Sequence, residues 1–472
     1  MNFKTIFKSF KNKDMLRRIL IVVGLIVVYR FLAHIPVPLG EPTTFQEAIQ
    51  NLIQKSDFGS FLNLISGGGF TQFSILMVGI SPYITASIVV QLITKAIPRL
   101  EELSQDGETG RRKISQWTRI LAVPLAIVQS IASIFILYRT VIASNTAFTY
   151  TPTSTDWLLS VTAMVAGSMI LMWLGELITE QGIGNGISTI ILASILSQLP
   201  QTLTSMGALL FDTSAGSLSL FGWFNLPVNP IAFWIILGFT IAVIIVIYLL
   251  VKINEAQRVI TIHYAKRVHG NSAYGGIKSI LPLKLIAAGV VPVIFATAFL
   301  SLPALIGQLL QTINPDNSFG ATLVNLFTAP SANNFTAMYP NGITATWFVY
   351  PAVYFLLVVL FTYFYTSIIY NTNEIADNLQ KQGAFIEGVR PGLRTAEYLG
   401  HTINRLNLFG ALSLGLIAML PFITDYVFII LSGMPLGLSL SGTGLLIVVT
   451  VALENLRQVN SRALMVTYDE YK

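Results

Sequence analysis

Residues 73–94 read FSILMVGISPYITASIVVQLIT and carry no charge. A helix needs about 20 apolar residues to cross the hydrocarbon core of a bilayer, and this stretch supplies them. Pro82 falls inside it. A membrane helix tolerates proline where neighbouring groups satisfy the freed carbonyl, so the spacing predicts one crossing over 73–94. Reading outward, comparable stretches occupy 19–38, 117–138, 157–178, 185–200, 230–251, 284–308, 345–370, 406–424 and 437–456. Together they make ten expected spans, the fifth short and flanked by glycine. Pro124 and Pro292 are likewise expected inside spans three and seven. Composition agrees: 53% of the chain is hydrophobic and 11% charged, against about 25% charged in an average soluble protein.

Charge along the chain sets the expected orientation. All 28 Lys and Arg except Arg30, Lys55 and Arg139 fall in segments 1–18, 95–119, 179–184, 252–284, 371–405 and 457–472. The alternate segments hold mostly acids, among them Glu41, Asp57, Asp156, Asp212, Asp316 and Asp425. Positive charge is retained in the cytoplasm, so both termini are expected there, which requires an even number of spans. The basic N-terminus is followed by an apolar run ending at His34-Ile-Pro-Val-Pro38 with no small-residue cleavage site. It reads as a retained first helix rather than a removable signal peptide.

Two cytoplasmic loops, 252–284 and 371–405, are long and dense in charge. They suit a docking surface, or topogenic charge resting on lipid headgroups. Residues 57–72, DFGSFLNLISGGGFTQ, are too short to cross and contain Gly67-Gly68-Gly69. Irregular backbone at membrane depth survives only where protein or water covers it. This segment is either a re-entrant piece lining a cavity or a helix resting on the outer leaflet.

Several chemistries lack their residues. There is no cysteine, and His34, His263, His269 and His401 are scattered, so no thiol nucleophile or standard metal-ligand spacing is available, and no cofactor is expected. Gly182-x-Gly-x-Gly186 precedes an apolar helix rather than following a strand, which is the wrong setting for a dinucleotide loop. An intramembrane protease would want a serine–histidine pair or paired aspartates at depth; the aspartates and histidines here lie in loops or near span ends. We expect no enzyme. The competing reading is a secondary transporter of ions or small solutes. It would want charge at the midplane of broken helices, where Arg30 stands without an acid in span one.

A series of separated motifs carries a family resemblance. They run Ser66-Gly-Gly, Gly79-Ile-Ser-Pro-Tyr-Ile-Thr-Ala-Ser-Ile88, Gly110-Arg-Arg-Lys-Ile-Ser115, Met172-Trp-Leu-Gly-Glu176 and Gly182-Ile-Gly-Asn-Gly-Ile-Ser188. The second half adds Tyr264-Ala-Lys-Arg267, Leu283-Lys284, Gly289-Val-Val-Pro-Val-Ile-Phe-Ala296, Ala376-Asp-Asn-Leu379, Gly383-Ala-Phe385, Gly388-Val-Arg-Pro-Gly392 and Gly442-Thr-Gly-Leu-Leu-Ile447. In this order, over roughly 17–457, the chain resembles the bacterial SecY family of protein-translocation channels.

That resemblance implies an all-α polytopic fold of ten helices. Two inverted five-helix halves, 1–200 and 201–472, would surround an hourglass pore in the cell membrane. It implies a pore ring of Ile80, Ile84, Ile187, Ile191, Ile294 and Ile447. β-Branched side chains are stiff, and an apolar constriction excludes water and ions by dewetting. A re-entrant plug over about 58–72, with Ser66, Gly67, Gly68 and Gly69, would close the pore from outside. A lateral gate between spans two and three and spans seven and eight would release membrane helices, with Gln129 on span three. Arg258 and Arg390 would dock the motor ATPase SecA and the ribosome. Val259 stands where relatives often carry a second basic residue. Implied partners are SecE-like and SecG-like small membrane subunits, signal sequences, unfolded polypeptides and lipids.

Overall fold

The computed structural model describes residues 13–38, 66, 68–69, 72–144, 153–211, 218–220, 224–226, 228–264, 267–269, 272–274, 278–314, 317–328, 348–432 and 442–469. The helices are α1 (Lys13–Leu32), α2 (Ser81–Ala96), α3 (Pro98–Gln105), α4 (Gly107–Ser144), α5 (Ser154–Gln181), α6 (Gly186–Leu196) and α7 (Leu199–Leu210). They continue as α8 (Pro230–Glu255), α9 (Val291–Ile313), α10 (Ser318–Phe327), α11 (Val349–Ile369), α12 (Thr372–Lys381), α13 (Leu393–Ser432) and α14 (Gly442–Asp469). Among the described residues, six helices are long and apolar enough to cross a membrane: α4, α5, α8, α9, α11 and α13. They coincide with expected spans three, four, six, seven, eight and nine. Expected spans one, five and ten overlap α1, α6 and α14. The molecule is a mainly helical, multi-pass membrane protein.

Span two is where the backbone departs from the expected helix. Residues 72–80 are mostly turn, and α2 begins only at Ser81. Pro82 is therefore not internal but in the first turn of α2, where its missing N–H has no helical partner to lose. Pro292 stands likewise in the first turn of α9, while Pro124 lies inside α4 as expected, and so does Pro303 inside α9. The seventh span begins at Val291 rather than 284, because Lys284 closes a strand and Gly289 takes a left-handed φ of 61°.

Some partners of this irregular stretch lie within it, Met77 N–H donating to the Ser74 carbonyl and Gly79 N–H to the Leu76 carbonyl, and others come from elsewhere in the chain. Ile75 N–H donates to the Ile35 carbonyl at 2.9 Å, and Val37 N–H to the Phe73 carbonyl at 2.9 Å. Ser168 Oγ donates to the Gly79 carbonyl at 2.9 Å. A Cβ on Gly167 would run into the Ile75 carbonyl, so glycine lets α5 pass close beneath. Small residues permit such close crossings in membrane proteins.

The main apolar core joins α1, α2, α5, α6, α8, α9, α11, α13 and α14. α9 packs on α2, α4 and α11, and α14 packs on α6, α8 and α13. The two charged loops are not merely irregular. Strands β3 (Gln257–Tyr264), β6 (Lys278–Lys284) and β7 (Ala384–Ile386) form an antiparallel sheet in the order β6-β3-β7. Among the described residues there are also two two-stranded ribbons: β1 (Leu218–Leu220) with β2 (Phe224–Leu226), and β4 (Arg267–His269) with β5 (Ser272–Tyr274). Ile260, Ile262, Leu283 and Ile386 bury one face of the larger sheet against Leu379 of α12 and Leu399 and Ile403 of α13. Alternation of buried and exposed residues is what a half-covered strand requires.

Candidate functional site

Four helices bring the six isoleucines together. Ile80 is the residue just before α2, and Ile84 N–H donates to its carbonyl at 3.1 Å. Ile187 and Ile191 sit one turn apart on α6, Ile294 lies in the first turn of α9, and Ile447 is near the start of α14. Ile80, Ile84, Ile191, Ile294 and Ile447 are all buried within one apolar cluster, and Ile187 is half-buried against it. Each is carried near a helix start or a break in the helix. That follows from Gly79 before α2 and Pro82 in its first turn, Asn185 capping α6 through its side chain, Gly289 before α9 and Pro292 in its first turn, and Gly442 opening α14.

Of the expected plug, residues 58–65, 67, 70 and 71 lie outside the described residues. Ser66, Gly68 and Gly69 are described. Ser66 is fully buried. Its carbonyl accepts from Tyr29 Oη at 3.2 Å and from the Gly69 N–H at 3.3 Å. Tyr29 Oη also lies 2.6 Å from Ser194 Oγ on α6. Gly68 has a φ of 85°, a conformation that favours glycine. A Cβ at Gly69 would stand 2.7 Å from Ser74 Oγ and 3.1 Å from the Ser66 carbonyl.

Gln129 is 8% exposed on α4, the helix that, with α2, meets α9. Spans two, three and seven therefore adjoin there, and α11 also packs on α9.

Arg258 on β3 and Arg390 beyond β7 are both exposed. Ile262 pairs with Ile386 in the antiparallel register. The chain thus runs back from Ile262 to Arg258 and onward from Ile386 to Arg390 in the same direction. Gly388 and Gly392, with φ of 80° and 93°, flank Arg390. Thr395 Oγ1 donates to the Arg390 carbonyl at 2.9 Å, fastening this turn to the first turn of α13. Val259 is 48% exposed beside Arg258.

Comparison with known proteins settles the family. The SecY family model matches residues 74–456. The chain belongs to the SecY family. Curated relatives described as protein translocase subunit SecY include that of Streptomyces scabiei, 36% identical over 98% of both chains. That of Mycobacterium tuberculosis is 34% identical over 98% of both. Among solved structures, one described as a protein conducting channel superposes with a TM-score of 0.58 at 19% identity, covering 93% of this chain and 90% of the other. Sec61 in the canine ribosome-channel complex superposes with a TM-score of 0.55 at 17% identity, with the same coverage. The fold is that of these channels.

Within this SecY-family fold, local patterns left several polar contacts unread. Gly182-x-Gly-x-Gly186 is a seat for the last helix. A Cβ on Gly182 would run into Arg462, and one on Gly184 into Asn455. Asn455 Nδ2 donates to Thr189 Oγ1 at 3.2 Å. Gly186 lies so close to the Gly175 carbonyl that no Cβ fits. The last carbonyl of α5, on Gln181, accepts from Arg18 at 3.1 Å and from Arg462 at 3.3 Å. Arginines suit a helix C-terminus, where unpaired carbonyls and the negative end of the helix dipole meet. Tyr29 and Ser194 were missed too. The cue available was a tyrosine deep in an apolar span, which needs a partner for its hydroxyl.

Proposed function

We infer that the chain is the protein-conducting channel subunit of a membrane protein translocase. Family membership carries this reading. The convergence of six isoleucines in one buried cluster supports their assignment as the seal of the closed pore. The ring offers no fixed charge, so it suits passage of many polypeptide sequences while excluding ions by dewetting. Nothing favours a solute transporter.

Segment 58–72 is proposed as the plug, resting on Ser66 and Gly69 where they meet α1 and residues 74–76. One of the similar solved structures is described as a SecY whose plug domain stabilises the closed state and maintains a membrane seal. The contact of α2 and α4 with α9 is proposed as the lateral gate through which membrane helices leave, with Gln129 on its α4 side. The two halves 1–200 and 201–472 would part there, and ten spans with both termini cytoplasmic complete the topology.

The sheet of loops 252–284 and 371–405 is proposed as the docking platform, with Arg258 and Arg390 for SecA and the ribosome. Arginine makes paired contacts with carboxylates and RNA phosphates. The Sec61 channel noted above is described in complex with a ribosome. SecE-like and SecG-like subunits would pack against exposed apolar faces such as that of α8, where Ile241, Ile244 and Ile245 are exposed.

The test is transport by the whole protein. Co-reconstituted with a small membrane subunit and a motor ATPase, it should move a signal-bearing precursor into proteoliposomes in an ATP-dependent, protease-protected form. No protected precursor from such vesicles, with a small solute moved instead, would overturn the reading.

A further inference from the structure

Residues 285–290 join β6 to α9, the helix that carries Ile294, and they form neither helix nor strand. They do not run over the surface. Ile286, Ala288 and Val290 are all buried, and irregular backbone inside a membrane protein must find its partners in the protein around it. Leu285 N–H donates to the Ala256 carbonyl at 2.9 Å, and the Val290 carbonyl accepts from the N–H groups of Val293 and Ile294 at 3.0 and 3.2 Å. From α13, Gly410 comes so close that a Cβ on it would run into the Leu285 carbonyl.

Asn407 precedes Gly410 by three residues and so lies on nearly the same face of α13. It is 5% exposed, and Thr366 on α11 is 4% exposed. Thr366 Oγ1 donates to Asn407 Oδ1 at 2.9 Å. Both side chains line a small cavity whose opposite wall is Lys284, Leu285 and Ala287. The Lys284 backbone is also within hydrogen-bonding reach of the Tyr370 hydroxyl at the end of α11. The connector is therefore gripped by α11 and α13 at the level where a polar bond joins those two helices. Apolar contacts let packed helices slide, whereas a buried hydrogen bond has one geometry and fixes their register.

We propose that Thr366 and Asn407 are positioning residues for motor-driven transport: their bond fixes α11 to α13 beside the connector, so that a displacement of the sheet moves α9 and α11 together. The proposal rests on the reading of the sheet as the docking platform and of α9 and α11 as one side of the gate. α9 packs on α11, and α11 on α13. With α11 free to slide along α13, a shift of β6 is absorbed by the irregular backbone of 285–290 before it reaches Ile294.

The experiment uses the full-length protein co-reconstituted with a small membrane subunit and a motor ATPase. It reads the motor concentration at half-maximal transport, the ATP hydrolysed, and the precursor protected per ATP. Thr366→Val removes the hydroxyl, and Asn407→Leu removes the amide. The double variant leaves no unpaired polar group, so it assembles even where a single change does not. Each should lower precursor per ATP about three- to five-fold, the shift that one net hydrogen bond between helices produces. The half-maximal motor concentration and the ATP hydrolysed should not change. Thr366→Ser keeps the hydroxyl and should transport as wild type does.

Wild-type precursor per ATP in the assembled double variant would overturn the proposal. A Thr366→Ser variant as poor as Thr366→Val would trace the loss to packing and overturn it too. A higher half-maximal motor concentration in the double variant would show that the pair supports docking rather than transmission, with the same consequence. Failure of the underlying reading looks different. Arg390→Glu with an unchanged half-maximal motor concentration would remove the platform, and the proposal with it.

Discussion

Asn455 of the last long helix donates to Thr189 of α6 at 3.2 Å, across 266 positions of sequence. Beside it Arg457 donates to the Asn254 carbonyl at 3.0 Å, and Arg462 to the Gln181 carbonyl. This part of α14 therefore bonds to α5 and α6 on one side of the sequence and to α8 on the other. This joint is separate from the contact of α9 with α2 and α4.

Gly184→Ala should loosen that joint, because its new methyl would occupy the space of the Asn455 side chain. Overpacking of this kind costs about 1–3 kcal/mol. Gly24 on α1 has nothing within 4 Å of an added Cβ, so Gly24→Ala should stabilise by as much as about 1 kcal/mol through helix propensity. Thermal unfolding in detergent compares them. Equal melting temperatures for the two variants would mean that α14 does not need the glycine seat.

The isoleucine ring predicts a collective effect. Any single Ile→Val change should leave the seal intact, since one methylene is lost from a ring of six. Ile84→Asn combined with Ile187→Asn puts hydrogen-bonding groups on two different helices inside the constriction, and ions should then leak. Bilayer conductance equal to wild type, with the protein confirmed intact, would show that these residues do not form the barrier.

Arg390 stands on an exposed turn, so its side chain does little for packing. Arg390→Glu should leave melting unchanged and cut motor-driven export at least about ten-fold, equivalent to about 1.4 kcal/mol of lost docking. Normal export by this variant would move the docking surface elsewhere.

Sidedness has a direct test because the chain has no cysteine. Val259→Cys and Glu387→Cys are well exposed, the Glu387 side chain at 84%. In intact cells, both should resist a membrane-impermeant thiol reagent and label only after the membrane is opened. Labelling of intact cells would invert the topology.

How much could be read in advance depended on where each group finds its partner. The six long apolar helices were legible because the bilayer imposes length and apolarity on every crossing. The break at 72–80 was not, since its residues are as apolar as a helix and its Gly79 and Phe73 carbonyls are satisfied by the distant Ser168 and Val37. The sheet was obscured because three short strands sit among charges, and β7 pairs with β3 more than a hundred positions away. The glycines of 182–186 were visible, but their reason, Asn455 and Arg462, was not local. The isoleucines came from resemblance alone, since an isoleucine in an apolar helix carries no signal of its own.

The length of α13 has a mechanical meaning. At 40 residues it extends about 60 Å. Its beginning is embedded in the sheet through Leu399 and Ile403, and its middle in the central core through Leu414, Ile417 and Ala418. The two anchorages are about 20 Å apart along one uninterrupted rod. The turn bearing Arg390 is bonded to the start of that rod through Thr395. A partner that pushes on this turn therefore does not press on a slack loop. It works the short arm of a lever whose other arm is seated in the same apolar core as the isoleucines proposed to close the pore.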